Sequence, residues 1–208
     1  MLTTRQLNRA TLHRQLLLEW RRMPAIAAVE DLVGLQAQVP NVPYLALWSR
    51  LRDFHTDELA EHVRERTVVR VIDRLRPRLR WFSTDEGGEL VDLPDAPRPD
   101  PDTPAQVRFL PEYDNALLSY ADRRRVISGT EHVPLLGGPG GYVGTVMVDG
   151  FVCAMWAVRR DRASARLEVR PSLRLAARQR DEVLAEASRL LQFVAPDADH
   201  DVAFTTGL

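Results

Sequence analysis

The chain contains no lysine: all 28 of its basic side chains are arginine. Without lysine there is no Walker-A phosphate loop, no pyridoxal-phosphate Schiff base and no side-chain amine nucleophile. Cysteine is nearly absent too. The single Cys153 has no partner for an internal disulfide and cannot build a cysteine-based zinc site, which points to a reducing compartment. No apolar run approaches the ~18 residues that cross a bilayer, and no basic–apolar–small-residue leader is visible. The expectation is a cytoplasmic protein without membrane contact. Arginine in place of lysine throughout reads as a GC-rich coding bias.

What is present is ordinary for a globular chain. Its 208 residues are 45% hydrophobic and 27% charged, with a net charge of −1. That length suits one large domain or two small ones. Charge is segregated, however. Residues 61–82 hold seven arginines against Glu61, Glu65 and Asp73, and residues 159–180 hold eight against Asp161 and Glu168. Residues 83–102 hold seven acids against Arg98. Local basic stretches steer polyanions even when the total is near zero. The competing reading is a set of solvated faces paired with the acidic stretches.

The first half has helical period. Thr3 with Gln6 is a capping-box pattern, and the apolar period runs from Leu7 to Leu18. Pro24 suits the first turn of a second helix carrying Ile26, Val29, Val33 and Ala37 on one side, ended by Pro40 and Pro43. A short helix through Leu45–Trp48, another over Glu58–Arg66 capped by Thr56, and a brief strand over Thr67–Val71 follow. Helices and then a strand fit a helix-turn-helix or winged-helix-like unit over residues 1–72.

The second half changes period. Strands are expected at Arg80–Ser83, Glu89–Leu93, Val107–Leu110, Tyr142–Val148, Phe151–Val158 and Ala165–Arg170, with an edge strand at Asp201–Phe204. Asp149-Gly150 between apolar runs is the strongest hairpin signal in the chain, because both positions of a type I′ turn need positive φ. The proline-rich stretch Leu93–Pro104 is a rigid loop, and Gly137–Gly141 a flexible one. Short helices are expected at Asp114–Tyr120 and a long amphipathic one at Leu173–Val194. The expected class is α+β: the helical unit, then a small antiparallel β-barrel-like domain over residues 73–208 with a C-terminal helix.

At Gly34-Leu35-Gln36-Ala37-Gln38-Val39-Pro40, preceded by Leu2–Asn8, the chain resembles the AlkZ/YcaQ group of bacterial winged-helix DNA glycosylases. The likeness extends through Tyr44–Trp48 and Thr67–Arg70. It resumes in Arg74–Arg80, Asp92–Pro97, Phe109–Asn115 and Val148–Phe151. Members of that group excise alkylated purines from DNA and unhook interstrand crosslinks. They are longer, with further winged-helix units between the helical and barrel parts. Here Val68-Val69-Arg70 runs almost directly into Asp73–Pro77, so the chain resembles an internally shortened member joined near residues 70–74.

The resemblance implies a catalytic pair at Gln36 and Gln38. Amides have no useful basicity near neutral pH, so such a pair forgoes a general base worth about 10²–10⁴ in rate. A purine alkylated on a ring nitrogen is already cationic and leaves readily. The protein then needs only to position water and stabilise an oxocarbenium-like sugar through carbonyl dipoles. Residues i and i+2 point ~200° apart on a helix and to one side of an extended chain. Convergence of the two amides therefore requires the helix to unwind at or before Gln36. The structural alternative is a solvated helix end that happens to carry glutamines.

The implied partner is double-stranded DNA. Contacts are expected from Arg74, Arg76, Arg78 and Arg80, and from the Asp149-Gly150 hairpin, the kind of barrel hairpin that relatives place near the lesion. Each has a plain alternative, a solvated basic stretch and an ordinary turn. Without lysine, any activity should be monofunctional and leave an abasic site. No cofactor or metal is expected, since the five histidines lack close ligand spacing. Glu112 and Asp114 read as first-turn acids favoured by the helix dipole, and Asp114 with Asn115 as a brace of the barrel against neighbouring arginines. A homodimer would rebuild part of the missing surface. The second functional reading is a non-catalytic, DNA-binding or interaction remnant of the same family.

Overall fold

The computed structural model describes residues 3–37, 39–68, 97–119, 123–128 and 144–205. Its residues gather into two compact units. One comprises Met1–Pro104 and Tyr113–Val126, the other Ala105–Glu112 and Ile127–Leu208.

The first unit is helical: α1 (Thr4–Arg14), α2 (Ala25–Asp31), α3 (Val42–Trp48), α4 (Thr56–Arg64) and the short α5 (Asn115–Leu118). Thr3 caps α1 with the expected box: its hydroxyl accepts from Gln6 N while its own N–H donates to Gln6 Oε1. Pro24 stands immediately before α2, its φ of −60° already helical. The core is built on Leu12, Leu17, Leu47, Leu51, Phe54 and Leu117.

Three of these helices end earlier than expected. In each, the residue after the C-cap adopts positive φ: Leu16 at 55°, Val33 at 56° and Arg66 at 59°. Each then makes the paired bonds of a Schellman end. Leu16 N donates to His13 O and Leu17 N to Leu12 O; Val33 N to Glu30 O and Gly34 N to Val29 O; Arg66 N to Val63 O and Thr67 N to His62 O. The expected helix to Leu18 thus stops at Arg14, and the expected face of Val33 and Ala37 lies beyond the end of α2. Thr67 and Val68, expected to start a strand, form a bend instead, both N–H groups closing on the His62 carbonyl.

The second unit is a five-stranded sheet in the order β1 (Arg108–Leu110), β2 (Gly144–Val148), β3 (Phe151–Arg160), β4 (Ser164–Pro171) and β5 (Asp199–Phe204). The helix α6 (Ala177–Val194) lies between β4 and β5 in the chain. It buries Val183, Glu186, Ala187, Leu190 and Leu191, one face at helical spacing. Two expectations are corrected. Among the described residues the sheet is open: β1 and β5 stand at opposite edges, and a three-residue β1 offers too little ladder to close a barrel. Nor is it wholly antiparallel, since β5 pairs parallel to β4. A strand that returns through a crossover helix enters in the same direction as the one it left.

The hairpin is as expected. Val148 pairs with Phe151, and Asp149 (φ 47°) and Gly150 (φ 82°) make the intervening turn. The register shifts between Val146 and Met147, leaving Cys153 as the extra residue opposite. Gly144 faces Trp156 across β2–β3, where a Cβ would collide with the indole Nε1 and the Leu110 carbonyl. That indole donates to Leu110 O at 2.9 Å and meets Phe109 edge-on. The expected strands Arg80–Ser83 and Glu89–Leu93 and the Gly137–Gly141 loop lie outside the described residues. No helix among the described residues is long and apolar enough to cross a membrane.

Candidate functional site

The loop that follows α2 is set by backbone geometry before any side chain acts. Val33 and Gly34 take φ of 56° and 102° in succession, and the chain leaves the helix axis there. Leu35, Gln36 and Ala37 then have no regular structure. The helix therefore ends ahead of Gln36, as convergence of Gln36 with Gln38 demands. Gln36 is half-buried, and among the described residues its amide has no hydrogen-bond partner. Gln38 lies outside the described residues.

A second segment reaches this loop from far along the chain. Tyr113, at φ 60°, turns the backbone into α5. Asp114 is its N-cap, accepting from Ala116 N at 2.9 Å. Both Asp114 oxygens also accept from Arg50, Nη1 to Oδ2 at 2.8 Å and Nη2 to Oδ1 at 2.7 Å, with both side chains wholly buried. Arg50 also donates to the carbonyls of Gln15 (Nε, 2.8 Å) and Ala46 (Nη1, 3.0 Å) and to the Ser49 hydroxyl (Nη1, 3.2 Å). This is the bidentate, hydrogen-bonded geometry a buried ion pair needs. Next along, Asn115 donates through Nδ2 to the Gly34 carbonyl at 2.8 Å. A carbonyl oxygen only accepts, so the side-chain NH₂ must point at it.

The expected role of Asp114 and Asn115 is thereby corrected. Their bonds run within the helical unit: Asp114 is locked to the end of α3 by Arg50, and Asn115 to the residue two before Gln36. With both oxygens engaged, Asp114 is no general base. Burial pushes the half-buried Glu112 carboxyl above its ordinary range.

Arg74, Arg76, Arg78 and Arg80 lie outside the described residues. Asp149 and Gly150 lie in the sheet unit, Asp149 half-buried and Gly150 buried. Cys153 is buried in the sheet, its thiol pushed up to about 12 by desolvation, so it is no nucleophile. His62 is bonded to the Thr67 hydroxyl and His200 to the Ala195 carbonyl. Burial and the neighbouring Arg21 lower the pKa of His13. Among the described residues, no group of three His, Cys, Asp or Glu side chains is placed to hold a metal.

Sequence reasoning missed Val33 and Asn115 as parts of the site. Val33 reads as a core position by period, yet it is 74% exposed. Asn115 had a signal in its place directly after Asp114 in a recognisable segment, but nothing local names a partner 81 residues away.

A sequence model of the family described as "DNA glycosylase AlkZ-like" matches residues 29–74 and 70–193. Those spans contain the Gln36 loop, Arg50, Asp114 and Asn115. The two matches overlap at residues 70–74. Among solved structures, the chain is similar to the DNA glycosylase AlkZ of Streptomyces sahachiroi, with a TM-score of 0.56 and 13% identity over 98% of this chain and 100% of that one. At that identity the likeness concerns the fold. No curated protein sequence matches the chain.

Proposed function

The chain belongs to the AlkZ-like DNA glycosylase family, and on that premise we propose that it is a monofunctional alkylpurine glycosylase acting on double-stranded DNA. Gln36 carries the reading. It stands in an irregular segment directly after a left-handed helix end, half-buried, with an amide that no described group engages. An uncommitted amide at such a place orients water through its carbonyl and opposes the positive charge that develops on the sugar. In the proposed step the bond from the sugar C1′ to the purine breaks, and the electron pair leaves with the cationic base, which departs neutral. Water adds at C1′ and its proton passes to solvent. With no lysine in the chain, nothing in its side chains competes with water by forming a Schiff base, and an abasic site remains.

Gln38 is proposed as the partner amide. Arg74, Arg76, Arg78 and Arg80 are proposed as phosphate contacts, with the Asp149-Gly150 turn as a DNA-facing hairpin. Residues 1–72 are proposed as the greater part of a winged-helix-like DNA-binding unit and 73–208 as the stretch that carries the second domain, in a bacterial, cytoplasmic repair protein. The test is base release from duplex DNA carrying alkylated purines, comparing wild type with Gln36→Ala and Gln38→Ala. Release by wild type that falls at least ~10²-fold in each variant is the expected outcome. No release, or release indifferent to both substitutions, sinks the proposal.

A second reading has its own observation. The family match comes in two pieces that meet at residues 70–74, the place where the sequence expects an internal join. An internally shortened member lacks part of the surface that bends DNA and holds an extruded base, which costs a few kcal/mol. Such a chain binds DNA without excising, unless a homodimer restores the surface. Salt-dependent duplex binding with no base release at any protein concentration distinguishes this reading from the first.

A further inference from the structure

We propose that Asn115 is a positioning residue that sets the loop bearing Gln36. This rests on the reading that Gln36 acts at the scissile bond. Gly34 is held on both sides of its backbone. Its N–H closes the α2 end on Val29 O at 2.9 Å, and its carbonyl accepts from Asn115 Nδ2 at 2.8 Å. Only Leu35 separates that anchored peptide from Gln36. Fixing the Gly34 carbonyl fixes the plane from which the chain sets out toward Gln36, at a point where helical hydrogen bonds no longer constrain it.

The anchor is itself rigid. Asn115 opens α5, and the preceding Asp114 is gripped bidentately by Arg50 with neither side chain exposed. Arg50 is in turn tied to the ends of α1 and α3 through Gln15 O and Ala46 O. The loop is thus referenced to two helix ends through a buried ion pair, the support a reacting geometry needs when it tolerates errors of only about half an ångström. Asparagine meets the requirement by being short, neutral and a donor. Aspartate of the same shape presents only acceptors to an accepting carbonyl.

The test compares wild type, Asn115→Ala and Asn115→Asp by single-turnover base release, duplex affinity at matched salt, thermal unfolding and hydrogen exchange of the peptide spanning residues 33–39. Aspartate preserves the shape and suits the first turn of a helix, so a role confined to folding α5 is kept by Asn115→Asp. Expected is a release rate down about 10- to 100-fold in both variants, with affinity within about twofold and faster exchange of the 33–39 peptide. Release at the wild-type rate in Asn115→Asp overturns the proposal while leaving the glycosylase reading standing. So does a loss that follows duplex affinity or unfolding. Should Asn115→Ala fail to fold, Asn115→Asp alone decides. No release by wild type overturns the glycosylase reading and, with it, the catalytic role of Asn115. Unchanged exchange in both variants overturns the anchor on its own.

Discussion

Val33 occupies a position that helix ends normally give to glycine. A left-handed φ of 56° brings a β-branched side chain against its own backbone, at a cost of about 1–2 kcal/mol. Burial does not compensate, because the residue is 74% exposed. The strain lies three residues from Gln36, in the kind of place where backbone strain accompanies function. Val33→Asn keeps the turn and tolerates its φ, so unfolding free energy should rise by about 1 kcal/mol in urea titration; an unchanged or lower midpoint would mean that the turn holds no strain. The neighbouring Gly34, at φ 102°, has open space around its missing Cβ, so its requirement is conformational and not steric. The glutamines are legible in the chain as a motif. The strain beside them is not, because a valine at helical period looks like core until its backbone is seen.

Helix ends and strand pairings are where element-level reading diverges from the fold. Residues Leu16, Val33 and Arg66 stop three helices without a glycine signal at the turning position, and apolar period alone overruns the ends of α1 and α2. Hairpin chemistry is local, and Asp149-Gly150 reads correctly because two positive φ angles leave few residue choices. The parallel pairing of β5 is not local, since its partner β4 lies across the whole of α6. Gly144 has a steric reason the sequence does not display. Its missing Cβ makes room for the Trp156 indole, which would otherwise lose its bond to the Leu110 carbonyl. Gly144→Ala should therefore lower unfolding free energy by about 1–3 kcal/mol, read from the tryptophan-fluorescence midpoint. Wild-type stability in that variant would show that the indole shifts at no cost.

At the scale of the whole molecule, the helical unit is one body made from two stretches of chain. Within the first stretch Arg5 donates to Pro101 O and Arg9 to Thr103 O, both at 2.7 Å, and Asn8 reaches the second, donating to Arg125 O at 2.6 Å. Arg50 meets Asp114 across 64 residues. Of these, the Arg50–Asp114 pair carries the largest penalty for loss, because removing one partner strands the other in a dry interior. Asp114→Ala should cost about 3–5 kcal/mol, whereas breaking the exposed Arg178–Glu182 pair with Arg178→Ala should cost about 0.5 kcal/mol or less. Denaturant midpoints for the two variants measure the contrast. Equal, small losses would show that the buried pair is readily replaced by water.

The sequence by itself determined the absence of lysine chemistry, the α+β class, the helix period, the hairpin and the segment that carries Gln36. All are properties of composition or of neighbours within a few residues, which act whatever the rest of the chain does. Only the tertiary structure decided that the described strands form an open sheet, that Asp114 serves Arg50, and that Asn115 bonds the glutamine loop through Gly34. Those outcomes depend on which distant groups are brought together once the backbone has turned. A hydrogen bond across 81 residues leaves no periodic trace in either of the segments it joins.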